Sequence, residues 1–414
     1  MVPKIRSASL INITFLEVFT TVSRSRSLLV PLCILAWLTL LLPGISGCSP
    51  TTLPSATLAP ANTPNSTGQL QSTATPTSTS TPAPVPTPTE ALTVEALPTL
   101  PPDVCPLSGE KVSDPNVLER RPLAVKISNF PNAVRPQAGL DRADIVFEHL
   151  AEANLTRFTA IFLCQEAEKI GCIRSARLID LEIPAMYKAV LIFSGVSPGL
   201  VPRFQNCDFS DRLLSPDPLF RDPDSDDIIY RVPAEGKAYE NTLFTDTKTL
   251  WQAIERRGWN SRQDLSGLVF AEEPPDGGSP ATHLSIVYNA LYATAEYQYD
   301  PDRQAYLRSV LGEPHLDEVT GEQITVRNVV VLYVNHVETD IIEDELGAHS
   351  IEIQLWGEGR AVILRDGRAY EVKWVRRQRP DMLRYVDGEG RPFPLKPGNT
   401  WVQVVPLDFE IEIE

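Results

Sequence analysis

A chain of 414 residues with 43% hydrophobic content has room for two ordinary domains with real cores. Its formal net charge of -16 excludes a nucleic-acid binder, which needs a basic footprint to neutralise phosphates, and argues against a body lying flat on an anionic membrane. Lys4, Arg6, Arg24 and Arg26 against Glu17 give residues 1–47 a charge of +3, so the remainder carries about -19.

Residues 27–43, SLLVPLCILAWLTLLLP, form an apolar run behind Arg24 and Arg26 and ahead of small residues, the order of an export signal. The run falls short of the roughly 20 residues that a bilayer-spanning helix needs. Ile45-Ser46-Gly47-Cys48 resembles the lipobox of bacterial lipoproteins: an aliphatic residue, two small ones, then cysteine. That resemblance implies that residues 1–47 are a signal peptide and that Cys48 is acylated by a palmitate-type chain. Cys48 then becomes the new amino terminus, moored to the extracytoplasmic face of the cell membrane. An uncleaved signal anchor would place the body on the same side.

Residues 48–104 read as the lipidated cysteine and its tether. From Ser49 to Pro102 the composition is Thr, Pro, Ser and Ala, with charges only at Glu90 and Glu95. Such a stretch has too little apolar surface to offset its ordering entropy, and at about 3.1 Å per residue it reaches on the order of 170 Å.

The expected fold class is α+β, an N-terminal α/β layered domain over 105–270 followed by a mainly antiparallel β domain over 280–414. Leu123–Ser128, Ala143–Glu148 and Phe158–Leu163 predict strands. Ser175 is expected to cap a helix running to Tyr187 in spite of Pro184, with a strand returning at Ala189–Phe193. Asp246–Arg256 predicts an amphipathic helix ending near Gly258. The turn-rich Pro274-Pro275-Asp276-Gly277-Gly278-Ser279 marks a break. Beyond it, runs such as LSIVYN, NVVVLYVNHV and AYEVKWVRR alternate or are β-branched, punctuated by Asp-Gly and Gly-Glu-Gly.

Four cysteines, Cys105, Cys164, Cys172 and Cys207, lie in the mature body. In an exported chain they permit two disulfides. Cys164 and Cys172 could close a hairpin-like loop, leaving Cys105 to reach Cys207; the alternative is four buried free thiols. No CxxC spacing and no close histidine pair among His149, His283, His315, His336 and His349 points to a metal.

Several ordered runs together resemble the YerB-like lipoprotein family, known chiefly as a domain of unknown function. They are Arg135-Pro136-Gln137-Ala138-Gly139-Leu140, Arg142–Glu148, Leu155-Thr156-Arg157-Phe158 and Ile173-Arg174-Ser175-Ala176-Arg177, then Asn328–Val331, Gly367, Trp374, Asp387-Gly388 and Leu395–Trp401. The resemblance covers roughly 105–408 and implies two domains and a lipoprotein habit, but no activity. Ala153-Asn154-Leu155 departs from the glycines usual in relatives, and Cys172 stands where proline is usual, so a Cys164–Cys172 bridge in place of a rigid turn is one reading of that loop.

Arg135, Asp144, Glu148, Arg157, Arg174 and Arg177 fall near strand ends or loop-to-helix junctions, where α/β layers form ligand crevices. The planar arginine fork suits carboxylate or phosphate, and a helix starting at Arg174-Ser175-Ala176-Arg177 would add free backbone N–H groups for an anion. The bland alternative is that Arg157 and Arg174 pair with Asp144 and Glu148 to tie strands together. Ser194-Gly195-Val196-Ser197 lacks the order of a nucleophile elbow and reads as a glycine loop after a strand. Trp356, Trp374, Trp401, Tyr333, Tyr370 and Tyr385 suit cross-strand packing or, less simply, a stacking face for a polymer.

With no nucleophile, metal set or cofactor loop to name, the leading expectation is a non-catalytic envelope lipoprotein without cofactor. Its expected partners are the membrane, through the lipid, and an anionic cell-wall or envelope ligand. The alternative is an enzyme acting on phosphate-containing envelope polymers, loosely similar to the LytR-CpsA-Psr phosphotransferases.

Overall fold

The computed structural model describes residues 97–221 and 225–414. Cys48, the signal segment and all but the last few residues of the tether lie outside the described residues. No helix among the described residues is long and apolar enough to cross a membrane.

Chain order gives β1 Leu123–Ser128, β2 Ile145–Leu150, β3 Thr156–Phe162, β4 Val190–Ile192 and β5 Leu213–Leu214 in the N-terminal half. The C-terminal half supplies β6 His283–Asn289, β7 Ala293–Asp300, β8 Ala305–Val310, β9 Asn328–Tyr333, β10 His336–Ile342 and β11 His349–Ile353. It continues with β12 Gly357–Arg365, β13 Arg368–Arg376, β14 Arg384–Val386 and β15 Thr400–Val405. The fold is α+β, with a mixed α/β sheet in the first half and mainly antiparallel pairing in the second.

Both halves contribute to one 11-stranded sheet, ordered β14-β13-β12-β9-β15-β2-β3-β1-β4-β5, with Ser279–Pro280 on β13. The seam between halves is β15, which runs parallel to β9 on one side and to β2 on the other, Thr400 facing both Asn328 and Ile145. A sheet covered on both faces needs apolar residues at successive positions, not alternate ones. That is why LAVKIS, NVVVLY and TWVQVV are buried throughout.

One face packs Ile145, Phe147, Val330 and Val402 under Ile183, Met186, Phe193 and Phe204. On the other, Val125, Val146, Phe158 and Trp401 meet two layers: the helix Thr247–Arg256, through Leu250, Trp251 and Ile254, and the sheet β8-β7-β6, through Tyr306, Tyr297 and Ile286. The helix begins where the sequence places it, Asp246 accepting from the Thr249 N–H at 2.7 Å.

Two expectations change. The helix expected from Ser175 is instead a 3-10 turn at Leu178–Leu181 and a short helix Ile183–Tyr187, because Pro184 sits in the helix's first turn, where its missing N–H costs nothing. The disulfide is Cys105–Cys164, replacing the expected Cys164–Cys172 and Cys105–Cys207 bridges. The 164–172 loop does not fold back on itself: Ile170–Gly171 pairs with Leu243–Thr245, which carries Cys172 away into a small cluster with Val134, Ala138 and Phe244. Cys172 and Cys207 are free thiols. The aromatics follow the packing expectation: Trp374, Trp401, Tyr333, Tyr370 and Tyr385 are core residues, and of the six only Trp356 is substantially exposed, at 44%.

Candidate functional site

Alternation along β1, β2 and β3 sends polar side chains to opposite faces of the sheet and builds two buried clusters. His149 and Arg157, cross-strand partners on β2 and β3, share a face with Lys126 and Thr159. Glu148, one residue earlier on β2, faces the other way.

On the first face, the Lys126 ammonium lies 2.8 Å from Asp180, both side chains fully buried, and also touches Thr159 and His149. Burial pushes Lys126 down to about 8, the nearby Asp180 opposing it. Burial and the Lys126 charge push His149 down to about 3, so it is a neutral imidazole. Asp180 also accepts the Arg177 backbone N–H at 2.7 Å, so a carboxylate of the chain itself holds the turn that follows.

Above this lies the arginine cluster. Glu152, in the turn between β2 and β3, accepts from Arg157 at 2.7 Å and from both Nε and a terminal nitrogen of Arg177. Burial acts to raise Glu152, but Arg157 and Arg177 outweigh it and hold its carboxyl at about 2. Burial, with the Arg177 charge alongside, brings Arg157 down to about 9. Arg157 also donates to the Ser175 carbonyl at 2.7 Å, joining β3 to the loop that carries Arg174.

Arg174 sits at the outer edge of this cluster. Its side chain is 23% exposed, and its ion-pair partner among the described residues, Glu240, is 4.0 Å away and half exposed. Ser194 donates its backbone N–H to the Arg174 carbonyl, and its hydroxyl lies 3.4 Å from that of Ser175. Ser194 in turn lines a polar cleft of about 620 Å3 together with Asp217, Arg221, Arg231 and Tyr239. Arg231 stacks on Tyr239 with its guanidinium 3.6 Å from the ring centre.

The six sequence-selected residues therefore separate. Arg157, Arg174 and Arg177 gather, but their acidic partners are Glu152, Glu240 and Glu343, not Asp144 and Glu148. No helix begins at Ser175, so the helix N-terminus expected there as an anion seat does not form. Glu148 belongs to the opposite face, where Asn129 and Thr156 donate to one oxygen and Arg308 and Gln403 to the other. Arg308 continues to the His315 ring, which bonds Gln137 at 2.7 Å. Arg135 borders that network, donating to Asn129 and to the Tyr292 carbonyl.

Asp144 stands elsewhere again, taking the Leu163 and Cys164 N–H groups on one oxygen beside the disulfide. Burial raises it to about 7. Cys105, Asp144 and Cys164 are close enough for a metal, but both sulfurs are committed to their mutual bond, so the trio does not fit one.

Sequence reasoning missed Lys126, Asp180, Glu152, Arg308 and Glu343. A lysine inside the apolar run LAVKIS was the one local signal; the others come from distant turns and strands.

The family models for the N-terminal and C-terminal domains of the "Protein of unknown function (DUF3048)" match residues 107–260 and 284–402. YerB of Bacillus subtilis (strain 168), provisionally named a lipoprotein, is 30% identical over 305 residues, covering 73% of this chain and 86% of YerB. The crystal structure of the Bacillus subtilis YerB protein superposes with a TM-score of 0.62 at 29% identity, covering 75% of this chain and 99% of that one. The chain thus belongs to the YerB-like DUF3048 family.

Proposed function

We propose that this protein is a lipoprotein held by Cys48 on the extracytoplasmic face of the cell membrane, and that it binds or scaffolds an anionic envelope component through the arginines around Arg174. The observation that carries the reading is the gathering of Arg157, Arg174 and Arg177 at one end of β3, with Arg174 weakly paired and next to a polar cleft that holds two further arginines. An acidic chain has little reason to concentrate guanidinium groups at a single edge unless an anion is to be held there. The lipobox-like Ile45–Cys48, the extended tether composition and the lipoprotein name of the relative support the anchoring.

The test titrates the full-length lipidated chain with phosphate-bearing and carboxylate-bearing cell-wall fragments. Arg174→Ala is expected to weaken binding at least tenfold without changing the melting temperature. Absence of binding, or an unchanged affinity in Arg174→Ala, overturns the ligand reading. Failure of Cys48→Ser to release the protein from membranes overturns the anchoring.

A further inference from the structure

The strands β10 and β11 form a two-stranded hairpin that joins neither of the larger sheets. The hairpin lies on the arginine side of the molecule: β11 packs on the turns Glu152–Asn154 and Leu178–Leu181, and β10 packs on Pro198–Leu200. Its exposed tip carries Leu346, and Asp344 closes the turn by accepting the Leu346 and Ala348 N–H groups. Directly before Asp344 comes Glu343, whose side chain is 0% exposed.

Glu343 is placed against Arg177, its carboxylate 3.3 Å from Arg177 Nε. Neither of its oxygens has a hydrogen-bond partner among the described residues. A buried carboxylate ordinarily collects two or more donors, as Glu148 and Glu152 do here. The elements meeting at this seam share the deficit, since the hydroxyls of Ser197, which precedes Pro198–Leu200, and Ser350, on β11, are also buried without partners among the described residues. Packing made only for stability would fill such a seam with apolar side chains, whereas one that exchanges occupants leaves polar groups waiting.

We propose that the hairpin 336–353 is a lid, that Glu343 is the intramolecular occupant of the oxyanion seat formed by Arg157, Arg174 and Arg177, and that an oxyanion ligand enters by displacing it. Glu152 is not the leaving group, because both of its oxygens are bonded by the two buried arginines. With Glu343 withdrawn, the three guanidinium groups keep the single carboxylate of Glu152 and the half-exposed Glu240, 4.0 Å from Arg174. This inference rests on the anion-binding reading for its ligand, but the lid itself can be tested without one.

Full-length wild-type chain and Glu343→Gln are compared by titration with inorganic phosphate and, separately, succinate, and by amide hydrogen exchange over residues 336–353. Glu343→Gln is expected to bind at least one of the two about tenfold more tightly, the tighter arm identifying phosphate or carboxylate as the ligand chemistry. Its hairpin amides are expected to exchange faster than those of the wild type even without ligand. Equal affinity where binding is measurable, or equal exchange over 336–353, overturns the lid. If neither chain binds either probe, the anion-binding reading falls and the exchange result alone decides for or against the lid.

A locked variant tests the same motion from the other direction. The Cβ position at Gly199 lies 3.8 Å from the Ile341 Cβ, the spacing of a disulfide. Oxidised Gly199→Cys/Ile341→Cys is expected to lose probe binding and to regain it on reduction, measured against wild type treated with the same reductant. Undiminished binding by the locked form overturns the proposal.

Discussion

The two faces of the central sheet each bury a carboxylate beside an arginine, and they treat it differently. On one face Glu148 has all its lone-pair directions met by Asn129, Thr156, Arg308 and Gln403, residues drawn from both halves of the chain. On the other, Glu343 leans on Arg177 with no hydrogen-bond donor among the described residues. A fully connected network fixes one arrangement of the core, and a half-connected one leaves a second arrangement within reach. The difference separates a clamp from a candidate site.

The largest effect expected from this contrast is at Arg308. Arg308→Ala leaves Glu148 buried and unpaired, and is expected to lower stability by about 3–5 kcal/mol in denaturant unfolding. A loss below ~1 kcal/mol would break the comparison, since the Glu148 face would then be no clamp.

Acid should act next, on the arginine face. Glu152 is held at about 2 in the folded chain, below its ordinary 4.5. A depressed carboxylate stabilises the fold above the unfolded value, and that contribution fades as pH falls from about 4.5 towards 2. Its size is about 3 kcal/mol. Melting curves over this window should be flatter in Glu152→Gln than in wild type, and equal slopes would remove Glu152 from the account.

Asp144 has the opposite sign. Burial raises it to about 7, so the folded chain holds its proton more tightly than the unfolded chain does, and stability falls as pH rises from about 4 to 7. Asp144→Asn should abolish that decline, read as a higher melting temperature at pH 8 than wild type with little difference at pH 4.

The smallest stability effect belongs to Arg174, partly exposed and 4.0 Å from a half-exposed partner. Arg174→Ala should change unfolding free energy by no more than ~0.5 kcal/mol. A larger loss would make Arg174 a structural residue and weaken its separation from Arg308.

Much of the fold was legible because its signals are local. The apolar run at Leu123–Ser128 is a strand with those same bounds, and Asp246 caps the helix that follows it. The region around Ser175 misled because Pro184 has two roles, breaking a long helix and starting a short one, and only packing chooses between them. The disulfide was misassigned for a related reason: nearness in sequence made Cys164 and Cys172 look like partners, while the pairing of Ile170–Gly171 with Leu243–Thr245 carries Cys172 into a separate apolar cluster. Within the candidate site, Arg157, Arg174 and Arg177 could be picked out from their own segments. Glu343, which pairs with Arg177, lies more than a hundred and fifty residues further on, at the end of a hairpin with no motif of its own.

The placement of β15 sets a timetable for the polypeptide as it is made. Residues 400–405 fill the gap between β2 and β9, so the backbone edge of β2 has no neighbour until nearly all the other strands of that sheet have been synthesised. An unpaired strand edge is an invitation to intermolecular pairing. The nascent chain must therefore keep its first half from sticking to other copies until its last long strand arrives, and a premature stop before residue 400 would leave that edge permanently open.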